Sequence, residues 1–193
     1  ISGEYSKQKD VSPLADINSN KAAKISFNLN HRSLDQKLSV DLAATYSYNT
    51  AAQIMLFGIT TLSPNLPPIY DDNGNLNYAA WNAANIGTTY PFSGLLIPSV
   101  SSSNFLNSSL KIGYQVLNGL NVSMQMGYNL GLNNNNLTTT IASQNPLYNP
   151  TAQVFFGDSK STGWTIIPQM DYTRILGKGK LSVKLGGNLN NAV

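Results

Sequence analysis

Few residues of this 193-residue chain could do chemistry, and they fall into a few groups. The run Asp71-Asp72-Asn73-Gly74-Asn75 sets carboxylate and amide oxygens at alternate positions, a pattern that suits a hard cation such as calcium. It lacks the glycine at the sixth loop position and the bidentate acid at the twelfth, where Asn82 stands, so a turn built on Asn73-Gly74 is the simpler reading and no metal is assigned. His31 is the single histidine and the chain has no cysteine, which removes disulfides, zinc knuckles, paired-histidine metal sites and thiol nucleophiles. No acid or nucleophile stands in register with His31, so no catalysis and no cofactor is expected. Large aromatics in a presumed loop, Tyr70, Tyr78, Trp81, Tyr90 and Phe92, suit stacking on a sugar or packing against a covering partner. With Asp71 and Asn73 they form the candidate contact set. The alternative for such residues is a loop folding on itself. Asn133 to Asn136 read as a solvated loop tip whose amides could bond sugar hydroxyls.

Composition narrows the class. Charged residues make up 11% of the chain, against roughly 25% in an ordinary soluble domain. Polarity is carried by 25 asparagines, with Ser and Thr close behind. The net charge of +3 is scattered, with no basic run, so nucleic acid is not an expected partner. No stretch reaches the ~18 to 20 apolar residues of a membrane helix, and Ile1-Ser2-Gly3-Glu4-Tyr5 does not read as a signal peptide. A membrane β-barrel stays open, because its strands alternate.

The elements that must position these residues show a period of two. Leu38, Val40, Leu42, Ala44, Tyr46 and Tyr48 alternate with Ser39, Asp41, Ala43, Thr45 and Ser47. The pattern returns around Ile25 to Leu29, Leu110 to Val116, Leu120 to Leu130, Trp164 to Tyr172 and Leu181 to Leu189, with a first strand near Ile1 to Lys7. Pro168 must interrupt the ladder of its strand. Lys24, Asp41, Lys111, Gln125, Asp171 and Lys184 project to the polar face, where isolated charges most often pair across strands. Short turns at Arg32 to Gln36, Leu117-Asn118-Gly119 and Gly177-Lys178-Gly179 alternate with long connections over about 8–20, 50–104 and 133–162. Tyr46, Tyr48, Tyr128 and Trp164 fall at the long-loop ends of the apolar face, and Tyr114 and Tyr172 near the turns. That predicts two interfacial girdles and an all-β fold: an antiparallel transmembrane β-barrel segment of about seven strands, one incomplete unit over 1–193. An odd strand count and the ending Asn190-Asn191-Ala192-Val193 read as an internal piece of a larger barrel. A soluble β-sandwich would also alternate and bury tyrosines.

A resemblance follows from several motifs in order. Leu62-Ser63-Pro64-Asn65-Leu66-Pro67-Pro68-Ile69-Tyr70-Asp71-Asp72-Asn73-Gly74-Asn75-Leu76-Asn77-Tyr78 resembles the extracellular-loop signature of SusC/RagA-type TonB-dependent outer-membrane transporters. Ile1 to Ser6, Phe27 to His31, Ser33 to Leu38, Ile112 to Leu117 and Pro168 to Tyr172 before Gly177-Lys178-Gly179-Lys180-Leu181 stand in that family's order. The chain departs from it after Tyr78, where Ala79-Ala80-Trp81-Asn82 replaces an Asn-Pro-Leu-type segment. The resemblance implies a barrel of 22 strands in the lipid of a Gram-negative outer membrane, with a plug and a SusD-like surface lipoprotein as lid. It implies uptake of oligosaccharides or oligopeptides as nutrients, driven through TonB by way of a plug region outside this chain, and it is compatible with an oligomer. The competing readings are a secreted β-sandwich that binds glycans or acts as an adhesin, and a passive porin.

Overall fold

A computed structural model describes residues 1–9, 19–54, 62, 64–85 and 90–193. The chain forms one antiparallel sheet in which each strand pairs with the next in sequence, in the order β1 to β7. The strands are β1 (Ser2–Lys9), β2 (Ser19–Arg32), β3 (Leu38–Ile54), β4 (Pro98–Leu117), β5 (Leu120–Thr139), β6 (Gln153–Leu176), β7 (Gly179–Gly186) and β8 (Leu189–Ala192), with one short helix, α1 (Tyr78–Ala83). Both β7 and β8 lie on the same side of β6, and the pairs Gln169↔Gly186 and Ile166↔Leu189 keep one register. They are one strand with a gap opposite Pro168. Gly187 N–H donates to the Pro168 carbonyl at 3.1 Å, but proline has no N–H to return, so the ladder breaks on that side only. Further along, Thr162 and Val193 exchange both backbone bonds at 2.8 Å. The seven expected strands are therefore present as an open all-β sheet, the architecture of a barrel segment.

The three short turns stand where expected. Gly119 has φ +89°, and a Cβ there would collide with the Thr173 carbonyl oxygen, so the Asn118-Gly119 turn admits only glycine. Gly177 likewise takes φ +59°. In the turn after β2, Ser33 Oγ donates to Asp35 Oδ1 and accepts from Leu38 N–H at 2.9 Å. The Ser33 hydroxyl, followed by the Lys37 amide, holds the Asp35 carboxyl below its usual range.

Register carries the period of two across the sheet, because paired residues share a face. Asp41 stands opposite Lys111, Lys111 opposite Gln125, Asn121 opposite Asp171, and Asp171 opposite Lys184. Lys24 shares that face through Ser47. The opposite face holds Ile25, Phe27, Val40, Leu42, Leu110, Ile112, Val122, Met124, Met126, Ile166 and Met170 in matching rows.

Two expectations need correction. The strands run well past the alternating stretches: β4 starts at Pro98 and β5 reaches Thr139, while β6 starts at Gln153 and spans 24 residues. The long connections therefore narrow to 55–97 and 140–152, and the one expected over 8–20 narrows to residues 10–18, outside the described residues. Asn133 to Asn136 are not a loop tip. They lie in β5, with Asn133 between Ser103 and Ser159, and Asn136 between Val100 and Phe156. Alternation is visible only where one face is apolar; where both faces are polar the backbone ladder continues without a side-chain period to announce it. The competing β-sandwich needs two packed sheets, and the described strands form one. Among the described residues the buried hydrophobics Leu76, Tyr78, Trp81 and Leu95 all lie in the connection between β3 and β4, none on the sheet.

Candidate functional site

The connection between β3 and β4 folds into a small cap with its own core. Asp71 builds its hairpin: Oδ1 accepts from Asn73 N–H at 2.9 Å and from Asn75 N–H at 2.8 Å, while Gly74 takes φ +80°. One oxygen of this carboxylate thus builds an Asx turn. Tyr70 and Leu76 pair across the hairpin, and Asn77 caps α1 by accepting from Ala80 N–H at 3.2 Å. The helix then turns Tyr78 and Trp81 inward.

These rings pack on one another. The Tyr78 and Tyr90 centroids lie 4.5 Å apart, and Trp81 meets Tyr90 at 5.0 Å and Phe92 at 5.7 Å, both edge to face. Trp81 Nε1–H donates to the Pro68 carbonyl at 3.3 Å, and the Tyr90 hydroxyl donates to the Ile69 carbonyl. Leu76 and Leu95 join the same core, with Ile54, Ile69 and Leu96 packed at its edge. The expected stacking platform is thus largely a loop core: Tyr78 and Trp81 are each 6% exposed, and Tyr90 and Phe92 are half-buried. Only Tyr70, at 44% exposure, and Asn73 remain presented. The Tyr78 hydroxyl is buried without a hydrogen-bond partner. Burial pushes the Tyr78 and Tyr90 hydroxyls up to about 12.

A second loop, between β5 and β6, docks on the cap. Asn82 and Asn145 exchange side-chain amide bonds at 3.2 and 2.9 Å, and Thr140 Oγ1 donates to the Leu96 carbonyl at 3.1 Å. Gln144 Nε2 spans this loop, donating to the Thr140 carbonyl at 3.1 Å and the Thr151 carbonyl at 2.7 Å. Between the two loops lies a cleft of about 700 Å³ walled by Asp71, Asn75, Asn77, Tyr78, Gln144 and Asn149. Of the candidate contact residues, the fold brings Asp71 and Tyr78 to this cleft; Tyr70, Asn73, Trp81, Tyr90 and Phe92 do not line it. The wall from Ile141 to Pro150 was not anticipated. Its signal was present in Thr140 and Asn145-Pro146, which start short 3-10 turns by accepting from Ser143 N–H and Leu147 N–H, each at 3.1 Å. The other half of the wall is apolar, with Leu76, Ile141 and Pro146, so the cleft can both hydrogen-bond and pack against a polar, uncharged ligand.

The six polar-face residues stand on one face, as register requires. Asp171 and Lys184 approach to 3.8 Å with both side chains well exposed, a contact worth at most ~1 kcal/mol. Asp171 also accepts from Gln169 Nε2. Asp41 and Lys111 oppose each other directly, so charge on this face is balanced locally. Among known proteins, no protein-family model and no curated protein matches this chain.

Proposed function

We propose that this chain is a wall segment of a transmembrane β-barrel in a Gram-negative outer membrane, part of an importer of oligosaccharides or oligopeptides. In this reading the importer works with a SusD-like surface lipoprotein and is driven through TonB. The observation that carries the membrane part is a slant in the aromatic levels of the apolar face. The row of Tyr46 continues through Leu106 and Leu130 to Thr162, and Tyr128 and Trp164 each sit two residues nearer the turns. The row of Tyr114 continues through Val122 to Met170, and Tyr172 sits two residues nearer the turn. The lower level descends by one residue per strand, and the upper by two residues over three strands, level between the paired Tyr128 and Trp164. With ~3.4 Å per residue and ~4.8 Å between strands, these slopes are ~35° and ~25°, the sense of slant that tilted barrel strands need for girdles to lie flat in two membrane interfaces. Between the levels the face is mostly apolar; beyond the upper one it becomes mixed, with Asn134, Asn136, Asp158 and Lys160 beside Val100 and Phe156. A strand of 24 residues exceeds the ~9 to 11 that cross a bilayer, and the surplus at the loop end would carry the cap clear of the lipid. The importer part rests on the resemblance and on the cleft between the two loops.

The test uses the intact protein in liposomes containing nitroxide-labelled lipid. The chain has no cysteine of its own, so single cysteines at Met126 and Gln125 can carry a fluorophore. Quenching is expected at 126 and not at 125. Equal quenching at both, or release of the protein from membranes by carbonate, overturns the membrane reading. Loss of labelled oligosaccharide or peptide uptake in a deletion strain, with the lipoprotein co-purifying from the wild type, tests the importer. Unchanged uptake refutes it.

A further inference from the structure

The polar face has an aromatic residue that its composition does not predict. Phe105 faces the polar side of β4, in a row that reads Ser47, Phe105, Gly131, Ser161. Among the described strands only Phe105 and Phe155 put aromatic rings on this face. Gly131 makes room for the ring: a Cβ there would stand 3.3 Å from Phe105 Cε1 and 2.7 Å from Ser161 Oγ. The ring therefore lies down over the glycine, and the residue remains 43% exposed.

What surrounds the ring is neutral and hydrogen-bonding. One row toward the loops begins a groove of about 370 Å³, lined by Ser6, Asn20, Lys21, Asn49, Ser101 and Ser103 among others, within the ~300 to 1,000 Å³ range of small-molecule sites. Ala22 and Ala51 keep its floor low. One row toward the turns, Asn107 Nδ2 donates to Asn129 Oδ1 at 2.6 Å. Whichever way those two amides are assigned, one carbonyl oxygen and one NH₂ group are left over side by side. The charges in the Phe105 row, Glu4 and Lys24, oppose each other.

We propose that Phe105, the Asn107–Asn129 pair and the Ser/Asn groove form a binding subsite for a neutral oligosaccharide. The flat ring would take the C–H face of a pyranose, and the spare amide acceptor and donor would take adjacent hydroxyls. A peptide cargo would bring charged termini and side chains of both signs; among the described lining residues the groove has one ionisable group, Lys21, which register with Thr50 sets on the opposite face, and no carboxylate. The subsite narrows the substrate class of the importer and, as a stop on a transport route, rests on that reading; the binding itself does not.

The experiment measures binding to the purified intact protein by calorimetry and ligand-detected NMR. The probes are neutral malto-, xylo-, manno- and β-gluco-oligosaccharides, with tri- to hexapeptides alongside. At least one oligosaccharide should bind; Phe105→Ala should weaken it tenfold or more, while Phe105→Trp retains it and both variants keep the wild-type melt. Sugar binding indifferent to Phe105→Ala overturns the proposal, as does peptide binding in its place. So does a Phe105→Ala variant that lowers the melt while no probe binds, which would mean that the ring packs against another part of the protein. If sugar binds as expected but the lipid-quenching pattern fails, the importer reading falls and the subsite stands.

Discussion

Replacing Trp81 by Ala separates a loop core from a ligand platform. Trp81 is 6% exposed; its indole meets Tyr90 at 5.0 Å and Phe92 at 5.7 Å and donates to Pro68 at 3.3 Å. Truncating a buried Trp to Ala costs ~3 to 5 kcal/mol, the aromatic contacts and the cavity included. The cap has few other buried groups to share that loss. Its local opening equilibrium should therefore rise by about two to four orders of magnitude, at ~1.4 kcal/mol per factor of ten. Hydrogen exchange read by mass spectrometry checks this in peptides spanning 64–85 and 90–97, with β5 as the internal control. Exchange in the cap should accelerate strongly while β5 keeps its protection, and thermolysin should cut within the cap. Unchanged protection in the cap would refute the reasoning, because it would mean that Trp81 is not what holds these loops. Equal loss of protection in β5 would refute the picture of a cap with its own core.

Other perturbations address single features. Tyr78→Phe removes a buried hydroxyl without a partner and should stabilise the cap by ~1 kcal/mol, seen as slower exchange in the same peptides. The Tyr78 and Tyr90 hydroxyls sit at about 12 in the closed cap, against ~10 when solvated. The open state therefore ionises first: the cap keeps its full stability below about pH 10 and loses it as pH rises toward 12, which tyrosinate absorbance and exchange can follow together. In Tyr78→Phe the loss should be shallower, and an unchanged slope would contradict the assignment. Gly119→Ala places a Cβ against the Thr173 carbonyl at φ +89° and should cost more than ~2 kcal/mol, visible as a lower melting temperature. Pro168→Val restores an N–H opposite Gly187 and should raise exchange protection at the β7–β8 gap; no gain there would mean that proline does not cause the gap.

Much of the sheet was legible because its two faces differ. Wherever Leu, Val, Met and Tyr alternate with Ser, Asn and Gln, the strand, its facing and its turn were readable, down to the common face of Lys24, Asp41, Lys111, Gln125, Asp171 and Lys184. Legibility stopped where contrast stopped. Val100 to Asn104, Asn133 to Thr139 and Gln153 to Thr162 carry no clear period, yet their backbones continue the ladder, so segments that read as loop are strand. In the cap the aromatic run was visible but its use was not. Residue type allows Tyr78 and Trp81 either to present their rings or to bury them. The choice depends on Asn77 capping a helix and on Tyr90 returning from later in the chain.

From the sequence alone came the antiparallel all-β class, the three tight turns, the break at Pro168 and the separation of an apolar face from a neutral polar one. These follow from local chemistry: side-chain period, glycine φ and a missing N–H. Only the tertiary structure decided what depends on register between distant residues. It set the slant of the two aromatic levels and the pairing of Asn82 with Asn145 that joins two loops. It also set Phe105 over Gly131 beside a polar groove. A one-residue change in any pairing would turn a strand's side chains to the other face, and no segment read by itself contains the partner that fixes that pairing.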